Sequence, residues 1–428
     1  MKKIKIGVIG AGTVGFSFIK LLRACRSQIK RDYGLDLELA VVCERSSEIR
    51  KRLSEIKVQS TDDADSVLGN ADIDLIVELI GGLKPAKDFV VKALTTGKDV
   101  VTANKALLAL HGQELFALAA QNNCVLKFEA AVAGAIPIIK PLTENLTLGG
   151  VQEIYGILNG TTNYVLYNMT KHGLDYSSVL ADAQAKGYAE ADPTTDVKGY
   201  DAMHKICLLS YMAFGSLPDV SKVFCQGIDT VTSEDIAFGL ENNMVIKLLA
   251  VARKTKASGL EVRVNPCFVP ADHPLAKIDA AINAVFVNTA KCGPFLFSGF
   301  GAGGDPTAMS VLSDVLDIAR GAVPFNVITK KSDEKFIDVG NTTSLYYLRF
   351  SIVDKPGVLA RIASILASYG ISIDTVQQKG TQIDKTKHVP LVILTHKAVD
   401  QEVRNAVKEI DKLSMTRRPA QVIKIEEL

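Results

Sequence analysis

A glycine-rich turn close to the N-terminus constrains the fold of this chain more than any other feature. Residues 3–9 become wholly apolar toward their end, as a buried parallel strand does, and Gly10-Ala11-Gly12-Thr13-Val14-Gly15 follows at once, where a helical pattern begins. In this context Gly10 permits a tight turn, Gly12 lets the backbone approach a pyrophosphate, and Gly15 lets the helix lie close to the strand. With a helix N-terminus at Thr13, the turn predicts a dinucleotide site.

The first 132 residues alternate between strand and helix patterns. Such alternation predicts an α/β domain built on a parallel, doubly wound sheet of the Rossmann type. We therefore expect residues 1–132 to form the dinucleotide-binding domain. Further strands are predicted at 37–43, 73–78, 99–102 and 124–129, and helices at 48–57, 85–96 and 111–121.

Two more domains are predicted downstream. Residues 133–305 mix strands with longer helices, which indicates an α+β domain for substrate binding, catalysis and dimerisation. Its predicted strands include 151–158 and 262–269, and its predicted helices are 175–186, 199–213 and 233–257. A helix over 306–325 is expected to pack back on the first domain, and a polar linker over 326–343 follows it. Residues 344–428 show a βαββαβ order, which predicts a ferredoxin-like module.

The charge and the cysteine content narrow the class of protein. The chain has 428 residues with 49 Lys and Arg against 47 Asp and Glu, and this formal charge of +2 favours neither nucleic-acid binding nor a polybasic membrane surface. Its seven cysteines form no CxxC pair, which fits a reducing compartment better than a secreted disulfide framework. The sequence has no signal-peptide pattern and no apolar stretch of about 18 residues. We therefore expect a cytoplasmic protein that binds neither nucleic acid nor membrane.

The end of the second predicted strand bears on the choice of dinucleotide. A carboxylate there accepts hydrogen bonds from the ribose 2′-hydroxyl and favours NAD, whereas an arginine neutralises the 2′-phosphate of NADP. Glu44 and Arg45 are adjacent, so the end of the strand decides which of them faces the ribose. Both are candidate cofactor-binding residues, and the alternative is that both are simply solvated in a loop. Between the two cofactors, we favour NADP.

Lysine is the leading candidate for moving the proton that accompanies a hydride transfer. The six histidines form no HExxH pair, and no cysteine-rich ligand cluster is present, so a zinc-dependent dehydrogenase is not favoured. Lys105 follows a predicted parallel strand, at the edge of the sheet where α/β proteins place their sites. Asp201 and Lys205 lie four residues apart on a predicted helix and so share one face. A surface ion pair is the alternative explanation of that spacing.

A long segment in the middle of the chain resembles the signature of homoserine dehydrogenases. It runs from Gly187 to Val197 as Gly-Tyr-Ala-Glu-Ala-Asp-Pro-Thr-Thr-Asp-Val and continues through Gly199, Asp201 and Lys205. Other motifs resemble that family in the correct order, namely Ala103-Asn104-Lys105, the stretch Glu129 to Ile139, Asn159-Gly160-Thr161-Thr162-Asn163-Tyr164, and Gly301-Ala302-Gly303-Gly304 before Pro306. The resemblance implies reversible, NAD(P)-dependent interconversion of L-homoserine and L-aspartate 4-semialdehyde in threonine, methionine and isoleucine biosynthesis.

The same resemblance implies roles for the residues in these motifs. Lys205 and Lys105 would manage the substrate oxygen and its proton, with Asp201 in the same polar network. A desolvated substrate ammonium needs a carboxylate, and a substrate carboxylate can be held by backbone N–H groups of a glycine turn. The substrate-binding residues implied in this way are Glu190, Asp196, Gly160 and Thr161, and those implied near the nicotinamide are Val14, Thr102, Lys105 and Gly303.

A monovalent cation, Na⁺ or K⁺, is also implied by the resemblance. In the family a carboxylate and backbone carbonyls hold it near a domain junction. The matching positions here are Glu129, Val132, Gly134 and Ile136. The alternative is that Glu129 merely ends a strand.

The C-terminal module resembles an ACT regulatory domain. Asp354-Lys355-Pro356-Gly357-Val358-Leu359 lies between its first predicted strand and helix, where such domains bind amino acids at an interface between two copies. The resemblance implies a homodimer or homotetramer that is inhibited by L-threonine, and the alternative is an oligomerisation module with an empty pocket. Because the glycine turn begins at residue 10, a monofunctional enzyme is expected rather than a fused aspartate kinase–homoserine dehydrogenase.

Two other functions compete with this interpretation. Another nicotinamide oxidoreductase, acting on a different aldehyde or imine, would share the architecture, and turnover of homoserine beside other amino alcohols distinguishes the two. A non-catalytic sensor of dinucleotide or threonine would retain cofactor binding after loss of the Lys205 side chain and would have no activity to lose.

Overall fold

The computed structural model describes residues 1–255, 259–323, 335–378 and 388–428. Strands and helices alternate regularly over the N-terminal part of the chain. Its strands are β1 (Lys2–Ile9), β2 (Leu35–Cys43), β3 (Ser60–Thr61), β4 (Leu75–Glu78), β5 (Asp99–Thr102), β6 (Leu126–Lys127) and β7 (Val151–Ile157). Its helices are α1 (Thr13–Tyr33), α2 (Ser47–Glu55), α3 (Ala64–Leu68), α4 (Ala86–Thr95), α5 (Lys105–Gln121) and α6 (Ile139–Glu144).

The remainder of the chain is richer in antiparallel strands. Its helices are α7 (Gly160–His172), α8 (Tyr176–Ala185), α9 (Thr194–Val197), α10 (Tyr200–Phe214), α11 (Ser233–Glu241), α12 (Gly304–Ala319), α13 (Val358–Ser368) and α14 (Asp400–Asp411). Its strands are β8 (Phe224–Cys225), β9 (Met244–Lys254), β10 (Gly259–Pro270), β11 (Ile282–Thr289), β12 (Gly293–Phe300), β13 (Lys335–Phe336), β14 (Thr343–Val353), β15 (Ile373–Gln378), β16 (His388–Thr395), β17 (Ala398–Val399) and β18 (Thr416–Ile425). Among the described residues, no helix combines the length and the apolar character needed to cross a membrane.

The chain divides into two compact units, which are described separately. The first comprises Met1–Gly160, Asp201–Ser221 and Ala281–Asp333, and the second comprises Thr161–Tyr200, Lys222–Ala280 and Glu334–Leu428, as far as the structure describes these ranges. The three domain boundaries inferred from the sequence stay a prediction.

A parallel sheet forms the core of the first unit. Its strand order is β3-β2-β1-β4-β5-β6, and every pair is parallel, which confirms the predicted Rossmann-type sheet. Helix α12 packs against α1 and contributes Val311 and Val315 to the same buried core as Ile6 and Phe18. A separate antiparallel set in this unit joins β7 to β11 and β11 to β12.

The second unit contains a longer, mostly antiparallel sheet. Strand β10 pairs antiparallel with β9 along its whole length and parallel with β18, where Cys267 lies opposite Lys424. From β18 the order continues β14-β16-β15, and α13 and α14 connect these strands in the βαββαβ order predicted for a ferredoxin-like module. The described part of the predicted linker is structured, because β13 pairs with β10 and a 3₁₀ turn covers Val339–Asn341. Residues 326–334 of that linker lie outside the described residues.

Two predictions about secondary structure need correction. The predicted helix over 233–257 was wrong, because the helix ends at Glu241 and residues Met244–Lys254 form β9. An apolar run of this length fits the hydrophobic period of a helix as well as that of a strand. The turn at Asn243, whose φ is +54°, ends the helix and leads the chain into β9. The predicted strand over 124–129 is reduced to β6, since Glu129 begins a 3₁₀ turn.

A buried ionic cluster joins the C-terminal module to β10. The guanidinium of Arg263 is fully buried and pairs with Glu261, at 2.6 Å, and with Glu426, which follows β18. Arg253 of β9 contacts the same two carboxylates, at 2.6 Å from Glu261 and 3.5 Å from Glu426. Burial by itself would raise the pKa of Glu261, but the Arg263 and Arg253 guanidinium groups lower it to about 2. Both carboxylates are therefore buried as anions.

We expect Arg263→Met to lower the free energy of unfolding by about 3–5 kcal/mol. Removing one cation from this cluster leaves Glu261 and Glu426 buried with too little positive charge, which is costlier than losing the pair itself. Urea unfolding monitored by circular dichroism measures the change. The control is Arg361→Met on an exposed position of α13, which we expect to shift stability by less than about 0.5 kcal/mol. Equal changes in unfolding free energy for the two variants would contradict the conclusion that Arg263 compensates two buried carboxylates.

Candidate active site

The glycine turn after β1 has the geometry that a dinucleotide pyrophosphate requires. Gly10 has a φ of +96°, and a Cβ on Gly15 would lie 2.2 Å from the Gly10 carbonyl oxygen, so a side chain is excluded at both positions. A Cβ on Gly12, in contrast, would meet nothing within 4 Å, so the backbone is open on that side. Among the described residues, no side chain caps the N-terminus of α1, which leaves its N–H groups available to an anion.

A cleft of about 590 Å³ adjoins this turn and holds the residues predicted for the adenosine half of the cofactor. Gly10, Gly12, Glu44 and Arg45 all line it. The Glu44 carboxylate accepts two backbone hydrogen bonds, one from the N–H of Ala11 at 2.8 Å and one from the N–H of Ser46 at 2.9 Å. The Arg45 side chain is exposed. Of the two candidates at the end of β2, Glu44 is therefore the one anchored to the glycine turn.

Hydrogen bonds at the ends of β4 and β5 position the predicted residues Thr102 and Lys105. The Thr102 hydroxyl donates to the buried Glu78 carboxylate at 2.6 Å and accepts from the N–H of Asn104 at 3.0 Å. The Asn104 side chain then accepts from the N–H of Leu107 at 3.1 Å, so it caps α5, and Lys105 is the first residue of that helix. Sequence reasoning missed Glu78, although a carboxylate at the end of a buried strand is an indication that it could have used.

The three predicted catalytic residues meet in the first unit. Asp201 Oδ2 lies 2.7 Å from Lys205 Nζ, and Asp201 Oδ1 lies 3.1 Å from Lys105 Nζ. Lys205 also donates to the carbonyl oxygen of Leu158 at 2.6 Å, and the Asn159 amide donates to Asp201 Oδ2 at 3.0 Å. The structure therefore rejects the alternative of a surface ion pair, since the Lys205 and Asp201 side chains are both less than a tenth exposed.

The charge state of this cluster follows from its contacts. Burial by itself would raise the pKa of Asp201, but the ammonium groups of Lys205 and Lys105 hold it well below its usual range. Burial also lowers the pKa of the neighbouring His204, which favours its neutral form. An ionised carboxylate thus lies between two amines, and the Lys105 side chain is the more exposed of the two, at 38% against 9%. The arrangement can hold a proton beside a substrate oxygen and replace it from solvent.

The residues predicted to bind substrate lie in both units. In the second unit the Thr161 hydroxyl lies 2.6 Å from the Tyr188 carbonyl oxygen and 3.3 Å from Asp196 Oδ2, so the structure brings Thr161 and Asp196 together. Glu190 is exposed, and its carboxylate has no ionic or hydrogen-bonding partner among the described residues. In the first unit, a Cβ on Gly160 would lie 2.8 Å from the carbonyl oxygen of Ala281, so a side chain is excluded at that position.

One of the positions matched to a monovalent cation, Glu129, is a buried carboxylate with three backbone hydrogen bonds. Glu129 Oε1 accepts from the N–H groups of Ile138 and Ile139 at 2.6 and 2.8 Å, and Oε2 accepts from that of Lys140 at 2.9 Å. A second buried carboxylate, Asp314, accepts from the Glu129 N–H at 2.7 Å. Burial raises the pKa of both groups, and the negative charge of Glu129 raises that of Asp314 further. Sequence reasoning missed Asp314, which is 185 residues from Glu129 along the chain.

The other three matched positions would contribute backbone carbonyl oxygens, and one of these carbonyls already has a hydrogen-bonding partner. The Gly134 carbonyl already accepts a hydrogen bond from the Ser310 hydroxyl at 2.7 Å. Val132 and Ile136 are buried in the same loop, and their N–H groups bond to Glu129 and Ala133 carbonyls, respectively. Oxygen ligands suit a hard cation, and a cation would offset two buried carboxylates. In the described residues, no cluster of three His, Cys, Asp or Glu side chains could hold a metal ion.

A short loop before α12 carries the last predicted cofactor residue. Gly303 precedes the helix with a φ of +120°, which a residue with a side chain adopts only with strain. A Cβ on the next residue, Gly304, would lie 2.7 Å from the Ser17 hydroxyl oxygen of α1. The glycines therefore let this loop lie against the helix that follows the dinucleotide turn.

A Rossmann-type sheet with an open glycine turn, together with a buried Asp201–Lys205 ion pair that Lys105 also contacts, defines an oxidoreductase that uses a nicotinamide dinucleotide. Three family models match the chain in the order of its motifs. The model of the homoserine dehydrogenase NAD binding domain matches residues 10–129, that of homoserine dehydrogenase matches 137–316, and that of the ACT domain matches 346–412.

Known proteins agree with these models. A homoserine dehydrogenase of Neisseria gonorrhoeae is 40% identical over 437 aligned residues that cover 100% of both chains. The crystal structure of a homoserine dehydrogenase from Thiobacillus denitrificans is 38% identical, with a TM-score of 0.93, and the match covers 100% of this chain and 99% of that one. A hyperthermophilic archaeal homoserine dehydrogenase in complex with NADPH is 26% identical, with a TM-score of 0.65 over 76% of this chain and 100% of its own. This chain belongs to the homoserine dehydrogenase family and is an NAD(P)-dependent oxidoreductase with a C-terminal ACT domain.

We expect Asp201→Asn to destabilise the protein at neutral pH but much less in acid. The folded pKa of Asp201 is lowered, so its ion pairs contribute their full stability above the unfolded pKa of about 4 and lose it as the pH falls through the folded value. The difference in unfolding free energy between wild type and variant should therefore be about 3–5 kcal/mol at pH 7 and shrink below about pH 4. Urea titrations from pH 3 to pH 7 measure it.

The control for this titration is Asp305→Asn, which removes an exposed carboxylate of the same unit. It should change the unfolding free energy by less than about 0.5 kcal/mol, because it replaces a solvent-exposed side chain by one of nearly the same size. A wild-type-to-Asp201→Asn difference that stays constant across the titration would contradict an ionised Asp201.

Proposed function

We propose that this enzyme reduces L-aspartate 4-semialdehyde to L-homoserine and catalyses the reverse oxidation. The observation that carries the proposal is the contact of one buried carboxylate, Asp201, with two amines, Lys205 and Lys105. An aldehyde oxygen gains negative charge as the carbon accepts hydride, and an ammonium group both stabilises that charge and supplies the proton. Family membership supports the identity of the substrate pair.

Lys205 is the proposed proton donor in the direction of reduction. Its ammonium is held by the Leu158 carbonyl and the Asp201 carboxylate, at 2.6 and 2.7 Å, so its position is set before substrate binds. A bound reduced nicotinamide would supply the hydride. Lys205 would then give its proton to the oxygen of the substrate, which becomes a hydroxyl. Lys105 contacts the other oxygen of Asp201 and is more exposed. It would stabilise the negative charge on the substrate oxygen and return a proton from solvent to Lys205. In the oxidative direction the neutral amine accepts the hydroxyl proton.

Recognition of the amino-acid part of the substrate is assigned to the residues that resemble the homoserine dehydrogenase motifs. Glu190 is exposed with its carboxylate unpaired among the described side chains, so it is suited to take the substrate ammonium, helped by Asp196. Gly160 and Thr161 are assigned to binding of the rest of the amino acid by the same resemblance. The resemblance of the Asn159–Tyr164 turn to the family motif supports this assignment.

A monovalent cation at Glu129 is also proposed. Two adjacent buried carboxylates, Glu129 and Asp314, support it, since a cation would compensate charge that burial disfavours. Glu129 and the carbonyls of Val132, Gly134 and Ile136 would hold the ion, with Na⁺ or K⁺ as the candidates. Its role would be to stiffen the loop between β6 and α6.

The ACT domain is proposed to make the enzyme responsive to L-threonine. Threonine, methionine and isoleucine biosynthesis would draw on homoserine, so inhibition by threonine would limit its own supply. The Asp354–Leu359 loop before α13 is the proposed binding segment, in a homodimer or homotetramer. A cytoplasmic location is supported by the seven cysteines, whose spacing in the sequence includes no CxxC pair. Coupling requires that threonine bind two states of the enzyme unequally.

We expect Lys205→Ala to lower kcat for homoserine oxidation at least about 100-fold, with dinucleotide affinity nearly unchanged. The substitution removes the group that exchanges the proton but leaves the glycine turn intact. Steady-state kinetics and NADH fluorescence titration measure the two effects. Lys87→Ala, which breaks a surface pair with Glu114, is the control and should retain normal turnover.

The same assay separates the competing functions. Normal turnover by Lys205→Ala would contradict the assignment of the proton donor. A wild-type protein that binds dinucleotide but oxidises no amino alcohol would be a sensor, and one that prefers another amino alcohol to homoserine would be a different oxidoreductase.

We expect Gly357→Asp to raise the threonine concentration needed for half-inhibition at least tenfold, without lowering the uninhibited kcat. Gly357 lies in the proposed effector loop with a φ of +92°, and a carboxylate there would repel the carboxylate of threonine. Gly370→Asp is a matched control, because Gly370 is also exposed, has a φ of +69° and lies at the opposite end of α13. Equal inhibition of both variants and wild type would place the effector elsewhere.

Point substitutions test this proposal better than deletion of the module. Strand β18 pairs with β10, and removal of Glu426 would leave the buried Arg263 with Glu261 as its one remaining carboxylate partner among the described residues. A truncated chain would therefore lose stability for reasons unrelated to threonine.

A further inference from the structure

We propose that the dinucleotide cleft selects NAD(H) against NADP(H), and that Glu44 is the residue that determines this specificity. The proposal rests on the proposed function only in assuming that the cleft beside the glycine turn takes the adenosine half of a nicotinamide dinucleotide. It reverses the preference for NADP that the sequence suggested, because the structure distinguishes Glu44 from Arg45.

The position of the Glu44 carboxylate is the first observation. Its two oxygens accept hydrogen bonds from the N–H of Ala11 at 2.8 Å and from the N–H of Ser46 at 2.9 Å. Ala11 lies within the glycine turn, so the carboxylate is held directly beside the place where the pyrophosphate and its ribose must lie. A side chain restrained at both oxygens cannot turn away from an incoming ligand without losing both bonds.

The chemistry of that position favours a hydroxyl over a phosphate. A carboxylate oxygen that already accepts one hydrogen bond still has a lone pair for a ribose 2′-hydroxyl, which is a donor. A 2′-phosphate has no proton to donate when fully ionised, and its charge would be repelled by the carboxylate at short range. The same contact is therefore attractive for NAD and repulsive for NADP.

The charge of the cleft is the second, independent observation. Four carboxylates line it and two cationic side chains do, so its formal charge is −2; the carboxylates are Glu44, Asp62, Asp63 and Asp65, and the cations are Arg45 and Lys84. Two cations outside the lining pair with these acids, Lys92 with Asp65 at 2.6 Å and Arg50 with Asp62 at 3.3 Å, so the cleft together with its paired cations carries no net charge. A cleft without net positive charge offers no electrostatic gain to the ligand that carries the additional phosphate.

Two arginines near the end of β2, Arg45 and Arg50, are candidates for binding a 2′-phosphate, and Arg50 already has several partners. Arg50 donates to the backbone carbonyl oxygens of Glu44 and Arg45, at 2.8 and 3.0 Å, and lies 3.3 Å from Asp62. Its guanidinium is thus directed to the strand end and to an acid of the cleft. Arg45 is exposed and adjacent to Glu44, so it is the residue that would have to hold a 2′-phosphate against the neighbouring carboxylate.

Binding and kinetics with the full-length protein test the proposal. Dissociation constants for NADH and NADPH are measured by nicotinamide fluorescence, and those for ADP-ribose and 2′-phospho-ADP-ribose by calorimetry, which isolates the adenosine half. For wild type we expect each 2′-phosphorylated ligand to bind at least tenfold more weakly than its partner. The ratio of kcat/KM for NAD to that for NADP in homoserine oxidation should be at least tenfold as well.

Three substitutions identify the residue responsible. Glu44→Gln keeps the size and an acceptor oxygen but removes the charge, so it should narrow the NADH-to-NADPH affinity ratio at least fivefold, mainly by tightening NADPH. Glu48→Gln removes an exposed charge of α2 outside the cleft lining and should leave the ratio unchanged. Arg45→Ala should change the ratio less than threefold, whereas a selective loss of NADPH affinity would show that Arg45 binds the phosphate.

The outcomes separate this proposal from the proposed function. Wild type that binds or uses NADP(H) as well as NAD(H) overturns the specificity proposal even if homoserine is oxidised. Selective NADH binding without homoserine oxidation leaves the specificity proposal standing and overturns the proposed function. If Glu44→Gln does not fold, the wild-type affinity ratios alone decide, and a folded Glu44→Gln with an unchanged ratio overturns the role of Glu44.

Discussion

The ion pairs of the buried Asp201 carboxylate are the interactions on which the proposed chemistry of this enzyme depends. Burial alone would raise the pKa of this carboxylate, and the ammonium groups of Lys205 and Lys105 and the amide of Asn159, which contact its two oxygens, hold that pKa well below its usual range. In return it holds Lys205 in one position, together with the Leu158 carbonyl. A proton donor must be fixed with respect to the atom that receives the proton, since small displacements cost much of the rate. The ion pair therefore serves orientation as much as stability.

The glycine turn imposes the second constraint, and it acts through backbone atoms. A side chain is excluded at Gly10 and Gly15 by conformation or by contact, while the space beside Gly12 is open. The N–H of Ala11 in the same turn holds the Glu44 carboxylate. If Glu44 meets the ribose as proposed, the segment that binds pyrophosphate also positions the residue that selects between NAD and NADP, and affinity and selectivity are physically linked.

The fold follows the local sequence patterns except where distant residues decide. The parallel sheet and the βαββαβ module have strong periodicity, and each helix and strand within them buries its own apolar face. Residues 233–257 were misassigned because an apolar run fits either period, and only pairing with β10 makes Met244–Lys254 a strand. Likewise, nothing local marks Arg263 as buried, because its partner Glu426 lies 163 residues away. A pattern within a short stretch of sequence does not show which distant residues meet in the fold.

The sequence by itself determined the chemical types present and their local spacing: a glycine turn for a pyrophosphate, and Asp201 and Lys205 on one helical face. It also restricted the choice at the end of β2 to Glu44 or Arg45. Only the tertiary structure decided which of these side chains are buried and what they contact. It shows Asp201 and Lys205 as a buried ion pair and Glu44 hydrogen-bonded to the glycine turn. The reason is physical: periodicity and turn chemistry act over a few residues, whereas desolvation and hydrogen-bond partners depend on segments that meet only when the chain folds.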